Sequence, residues 1–125
     1  MITQTHLRTG AIAAICLGCI HTMATPLIFS GLRFLPTNTF LALLCVFLMA
    51  GFAVLATGLL QLFLIKRLHI YTDFQSLQKG SIVFLLIFGI GAVATMWTNP
   101  FAYISLLLAL YEGFYFRKYV KQANS

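Results

Sequence analysis

The sequence predicts an all-α integral membrane protein, a four-helix bundle with both termini in the cytoplasm, and three observations lead there. Of its 125 residues, 61% are hydrophobic and 8% are charged, with a mean hydropathy of +0.96. A soluble chain of this size buries only about 60–70% of the surface it exposes when unfolded, which leaves no room for so much apolar area. The chain also carries four long apolar runs, and about twenty residues is the length that a hydrocarbon layer about 30 Å thick demands of a helix. Finally, its bases cluster where those runs end. Residues 1–125 are therefore expected to form one polytopic transmembrane domain, with a cytoplasmic loop at 66–79 and a basic C-terminal tail at 117–125.

Met1–Thr9 reads as a short polar tail carrying His6 and Arg8, and the first helix is expected over 10–31. A secretory signal competes for this stretch, with Arg8 ahead of an apolar Ala11–Ile20. The apolar run passes Pro26 and reaches Phe34, which favours a retained helix. Pro26 lacks an amide proton and predicts a kink near His21–Thr22, where the hydroxyls of Thr22 and Thr25 can meet the freed carbonyl. Gly31–Thr37, containing Arg33 and Pro36, is the first turn.

The second helix is expected over 38–65, capped by Asn38 or Thr39 and longer than the bilayer requires, so that it tilts or protrudes. The loop that follows holds Asp73, one of two acidic residues in the chain. The third helix is expected over 80–97 and the fourth over 100–117. Between them, Thr98-Asn99-Pro100 predicts a tight turn with Asn99 as N-cap and Pro100 at the first helical position. So short a link makes these two helices an antiparallel hairpin.

Counting bases gives the threading. With the N-terminus inside, the cytoplasmic side carries Arg8, Lys66, Arg67, Lys79, Arg117, Lys118 and Lys121, and the other side Arg33 alone. That asymmetry over short loops is a positive-inside signal. Trp97, Phe101 and Tyr103 then form an outer aromatic belt, and Tyr111, Tyr115 and Tyr119 an inner one. The net charge of +6 is too dispersed for nucleic acid and suits anionic lipid instead. The expected location is a bacterial cytoplasmic (inner) membrane, with the bilayer, a second copy or another membrane protein as partners.

Membrane helices associate through small residues that let backbones approach. The first helix places Gly10, Ala14, Gly18, His21 and Thr25 in one sector, with Ile12, Cys16, Cys19, Ile20, Met23 and Leu27 opposite. The stripes expected on the others are Ala42, Ala50, Ala53, Thr57 and Gln61; Ser81, Leu85, Ala92 and Thr95; and Ala102, Ser105, Ala109, Glu112 and Gly113.

Cys16-Leu17-Gly18-Cys19 has the spacing of a redox dithiol or half a metal site. Only Cys45 remains to partner it, and the pair falls on the lipid-facing sector, where thiolate is disfavoured; it is read as inert packing. His21 is a stronger candidate, about 18 Å into the first helix at 1.5 Å per residue. It is either a hydrogen-bonded histidine that fixes helix packing or a ligand or proton-handling group, since imidazole titrates near neutrality. Neither His6 nor His69 reaches its depth, so neither metal nor haem is expected there. Glu112 is expected to pair with Arg8, Lys66 or Arg117 near the cytoplasmic surface, with Gln61 in the same network, or else to serve as a proton-coupling carboxylate. The binding candidates are thus His21, Thr22, Thr25, Gln61, Ser105 and Glu112; no catalytic residue, metal or cofactor is expected.

The chain contains no nucleophile–base–acid set, phosphate-cradling loop or carboxylate pair. The expected function is a small, non-enzymatic accessory or interaction protein. The alternative is a small transporter or ligand binder with a midplane cavity around His21, and behind both stands a lipid- or quinone-directed membrane enzyme.

Overall fold

In a computed structural model, residues 2–68 and 72–123 are described, and they form four helices: α1 (Ile2–Ser30), α2 (Thr37–Ile65), α3 (Thr72–Thr95) and α4 (Pro100–Ala123). There is no strand among them. Each helix runs antiparallel to the next, in a square array. Helix α1 packs on α2 and α4, α3 packs on α4 and α2, and the backbones of diagonally opposite helices stay apart. The α1–α2 interface is the most extensive and α2–α3 the least.

Three helices are long and apolar enough to cross a membrane: the Thr3–Ser30, Thr37–Ile65 and Asp73–Thr95 stretches. Helix α4, with Glu112, Arg117, Lys118 and Lys121 in its 24 residues, falls short of the four apolar spans read from the sequence. Large apolar side chains cover the outside of the bundle, including Met23, Leu27, Met49, Ile87 and Leu107. The order of the helices brings Arg8, Lys66, Arg67, Lys79, Arg117, Lys118 and Lys121 to one end and Arg33 to the other.

Four of the eight expected helix ends move outward. The N-terminal stretch is helical from Ile2 rather than a tail, because Leu7 is buried against Phe116 of α4 and the Thr3 hydroxyl donates to Gln122 Oε1 at 2.8 Å. The 66–79 loop shrinks to a link of six residues, since α3 begins at Thr72. Asp73 in its first turn suits the positive end of the helix dipole, and Phe74 packs into the same apolar cluster as Leu7, Ile65 and Leu68. His69 lies outside the described residues. The basic tail is the last turns of α4, held by Tyr119 and Val120 on that cluster. Helix α3 stops at Thr95, two residues early. Pro36 itself takes the N-cap of α2, with φ −52° and ψ 138° and no side-chain cap, in place of Asn38 or Thr39. At α4 the expected cap is present: Phe101 N–H donates to Asn99 Oδ1 at 3.0 Å.

Helix α1 continues unbroken through Pro26. Thr25 donates to the His21 carbonyl at 2.7 Å and Thr22 to the Gly18 carbonyl at 2.8 Å, tying in the turns before the proline. The α1 stripe is as read, with Ala14 and Thr25 fully buried and Ile12, Ile20, Met23 and Leu27 exposed. On α2 the buried face is as read at Thr57 and Gln61, but further out it is turned by one residue, to Gly51 and Val54 in place of Ala50 and Ala53. Ala42 is exposed, and Gly51, Val54, Thr57, Gly58 and Gln61 face inward. The glycines are there because α1 and α2 nearly touch. A Cβ on Gly18 stands 2.6 Å from the Leu55 backbone nitrogen, and one on Gly58 2.8 Å from the Ala11 carbonyl oxygen. On α3, Ser81, Leu85 and Ala92 are buried but Thr95 is exposed.

Candidate functional site

The six residues singled out from the sequence fall into two groups. Gly51 lies midway along α2 at the level of His21, and Gln61 lies ten residues further on, about 15 Å along the axis.

The first group is at the basic end. Gln61 on α2 and Glu112 on α4 are 0% and 1% exposed, and Gln61 Nε2 donates to Glu112 Oε2 at 2.5 Å. The carboxyl is held by a neutral amide instead of by Arg8, Lys66 or Arg117, all of which are exposed. The reason is depth and direction: Glu112 points into the bundle about 1.4 turns inside Arg117, and its partner Gln61 lies as far inside Lys66, while Arg8 faces outward. Gly10 of α1 makes room for it, since a Cβ there stands 2.6 Å from Glu112 Cγ and 2.9 Å from its Oε1. Glu112 Oε1 and Gln61 Oε1 have no hydrogen-bond partner, nor has Gln78 Oε1 on α3.

Beside this pair is a contact that sequence reading missed. His6 Nδ1 and the Tyr111 hydroxyl are hydrogen-bonded at 2.8 Å, and the His6 ring stacks on Tyr115 at 4.0 Å between centroids and 12° between planes. The signal was available: His6 precedes Gly10 by one turn, so a helix extended to Ile2 puts both on the face that meets α4.

The second group surrounds His21. Its ring stacks on Phe47 of α2, with centroids 5.8 Å apart and 14° between planes, and Thr22 and the imidazole edge both lie against Gly51. His21 Nε2 is buried without a partner. Thr22 and Thr25 do not fill that need, since each bonds a backbone carbonyl of its own helix. A buried polar atom with no partner costs about 1–3 kcal/mol.

Two spaces meet at His21. One is a cavity of ≈ 30 Å³ in the bundle interior, bordered by Leu17, Val54, Phe88, Asn99 and Ser105. Ser105 Oγ is itself spent on the Ala102 carbonyl at 2.7 Å. The other is a groove of ≈ 470 Å³ between α2 and α3, walled by Phe47, Ala50, Phe88, Gly91, Thr95 and Met96. Pockets for small molecules commonly measure about 300–1,000 Å³, mostly apolar with few polar groups. The groove opens sideways, on the flank where the two helices pack least.

The three cysteines are free thiols, Cys16 and Cys45 exposed and Cys19 half-buried. Among the described residues no three of His, Cys, Asp and Glu come together as a metal site requires. Comparison with protein families, curated proteins and solved structures finds no match.

Proposed function

We propose that the protein is a non-enzymatic binder in the membrane, taking a lipid-soluble molecule with one polar group that enters from the bilayer between α2 and α3. The observation that carries this reading is the unpartnered Nε2 of His21 beside a lateral groove of ≈ 470 Å³. Phe47, Phe88 and Met96 suit the apolar part of such a ligand, and a hydroxyl or carbonyl on it supplies the hydrogen bond that His21 Nε2 lacks. Slight rotation of the imidazole, or spreading of α2 from α3, brings that nitrogen into the groove.

In this reading all four helices cross a bacterial cytoplasmic membrane, with the end bearing seven bases inside and the His21 groove in the outer half. Helix α4 crosses with its carboxyl buried against Gln61 and its bases at the inner surface. Service as an accessory subunit, to another membrane protein or to a second copy, is compatible with binding of this kind. Its support is the exposed apolar flank, which lipid covers equally well. A lipid- or quinone-directed enzyme is less well supported, because Glu112 is enclosed by Gly10 and Gln61.

The test is native mass spectrometry of the full chain released from mild detergent. The expected result is a retained small molecule in near one-to-one amount, lost in Gly91→Leu. Position 91 has no atom within 4 Å of an added Cβ, so that side chain fills the groove without straining the fold. Equal retention by wild type and Gly91→Leu overturns the proposal.

A further inference from the structure

A second groove, away from His21, runs between α3 and α4 at the basic end. It measures ≈ 460 Å³, with Lys79, Arg117 and Lys121 on its rim and Ile82, Val83 and Gly113 along its course. The two helices are antiparallel, so these residues fall in order. Lys79 lies level with Arg117 near the end of the bundle, Lys121 lies about a turn further out, and Val83 and Gly113 lie a turn deeper. Arg117 and Lys121 are four residues apart on one face of α4, as are Lys79 and Val83 on α3. The groove is therefore cationic at its mouth and apolar further in. Gly113 keeps its floor open: a Cβ there meets Ile82 Cγ2 at 3.7 Å, an ordinary contact.

We propose that this groove is a docking site for an anionic phospholipid of the inner leaflet. Its phosphate sits among Lys79, Arg117 and Lys121, and an acyl chain lies over Gly113 against Ile82 and Val83. Charge complementarity argues for this occupant. The chain has two acidic residues, and neither serves this mouth. Glu112 is buried against Gln61, and Asp73, six residues before Lys79, lies on another side of α3, about 240° around the helix at 100° per residue. The three bases thus form a cationic rim that the protein leaves for an outside anion. The groove on the opposite flank, bordered by Arg8, Phe63, Lys66 and Arg67, is different. There the Arg67 guanidinium lies 3.9 Å over the Phe63 ring and donates to the Phe63 carbonyl at 3.3 Å. The charge of Arg67 is thus already engaged, and no glycine lines that groove.

The experiment uses the full chain in mild detergent, offered equal amounts of phosphatidylglycerol and phosphatidylcholine with the same acyl chains, with bound lipid read by native mass spectrometry. Wild type is expected to retain phosphatidylglycerol preferentially. Combined K79Q, R117Q and K121Q should lower its retention about tenfold or more, to the level of phosphatidylcholine. These side chains are exposed, so the fold survives their loss. Gly113→Leu, which fills the floor and leaves every charge, should lower retention of phosphatidylglycerol as well. The matching variant R8Q, K66Q and R67Q should keep most of it. Equal losses in the two charge variants would show a diffuse attraction to basic surface and overturn the site, as would wild type without a preference. Binding of free glycerol phosphate as strong as that of the lipid would show that the apolar course contributes nothing, which also overturns it.

Discussion

Near the basic end, Glu112 has one oxygen bonded by Gln61 at 2.5 Å and Gly10 pressed against its stem. About 15 Å further along α2, His21 has an aromatic ring on one side, an unpartnered nitrogen, and a groove that opens to the flank. Both are polar groups inside an apolar bundle, but one is enclosed and the other is not. The cause is where the helices place their glycines. Gly18, Gly51 and Gly58 draw α1 and α2 together, and Gly89 draws α3 onto Leu106 of α4. On the seam between α2 and α3 the glycine present, Gly91, meets no atom within 4 Å of an added Cβ, and Phe47 and Phe88 line the space beside His21. Where helices associate by close packing and hydrogen bonding, that seam stays open at the level of His21.

The widest gap between the two regions should appear with glycines. Gly18→Ala puts a Cβ 2.6 Å from the Leu55 backbone nitrogen, forcing α1 from α2 at a cost of about 1–3 kcal/mol. Gly91→Ala, on the groove wall, should instead gain up to about 1 kcal/mol of helix propensity. Thermal unfolding in detergent should show a fall in Tm for the first and none for the second; equal effects would erase the distinction between closed and open seams.

The buried pair gives the next effect. Gln61→Leu leaves the Glu112 carboxyl without its donor, at a cost of about 1–3 kcal/mol. Glu112→Gln, which keeps an amide-compatible partner, should stay within about 1 kcal/mol of wild type. A neutral Gln61→Leu in the same assay would show that the 2.5 Å contact does not hold α2 to α4.

How far such contrasts can be read in advance depends on what marks a helix face. On α1, His21 and Thr25 against Met23 and Leu27 fixed the phase, and the stripe was legible. The outer part of α2 is almost uniformly apolar, so small residues alone had to set its phase, and Ala50 and Ala53 led the reading one residue away from Gly51 and Val54, whereas the polar Thr57 and Gln61 were read in phase. Helix ends were read from where hydrophobicity stops. Leu7, Phe74 and Val120 lie among polar neighbours, yet they are partners of one cluster at the basic end, and tertiary contact extended three helices past their apolar runs. The Asn99-Pro100 start of α4 was legible because cap chemistry is local. Depth alone put Gln61 in one network with Glu112, but that the amide holds the carboxyl in place of Arg8, Lys66 or Arg117 depended on helix rotation. The groove beside His21 had no sequence signature, since it arises from what two helices fail to bring to each other.

The smallest effect is expected from the cysteine pair. Cys16→Ala with Cys19→Ala removes one exposed and one half-buried thiol and should shift stability by about 0.5 kcal/mol or less for each. Ligand retention should be unchanged under both reducing and oxidising conditions. Retention that followed redox state would place chemistry on the face of α1 opposite His21.

The most direct measurement compares thermal stability with ligand retention in wild type, His21→Gln and His21→Leu. Because Nε2 has no partner to lose, both variants should unfold at or above the wild-type Tm, with His21→Leu the more stable. His21→Leu should release the bound molecule, and His21→Gln should hold it weakly through its amide. Variants as stable as wild type that keep the full complement of ligand would contradict the account, and would make His21 a packing residue beside an empty seam.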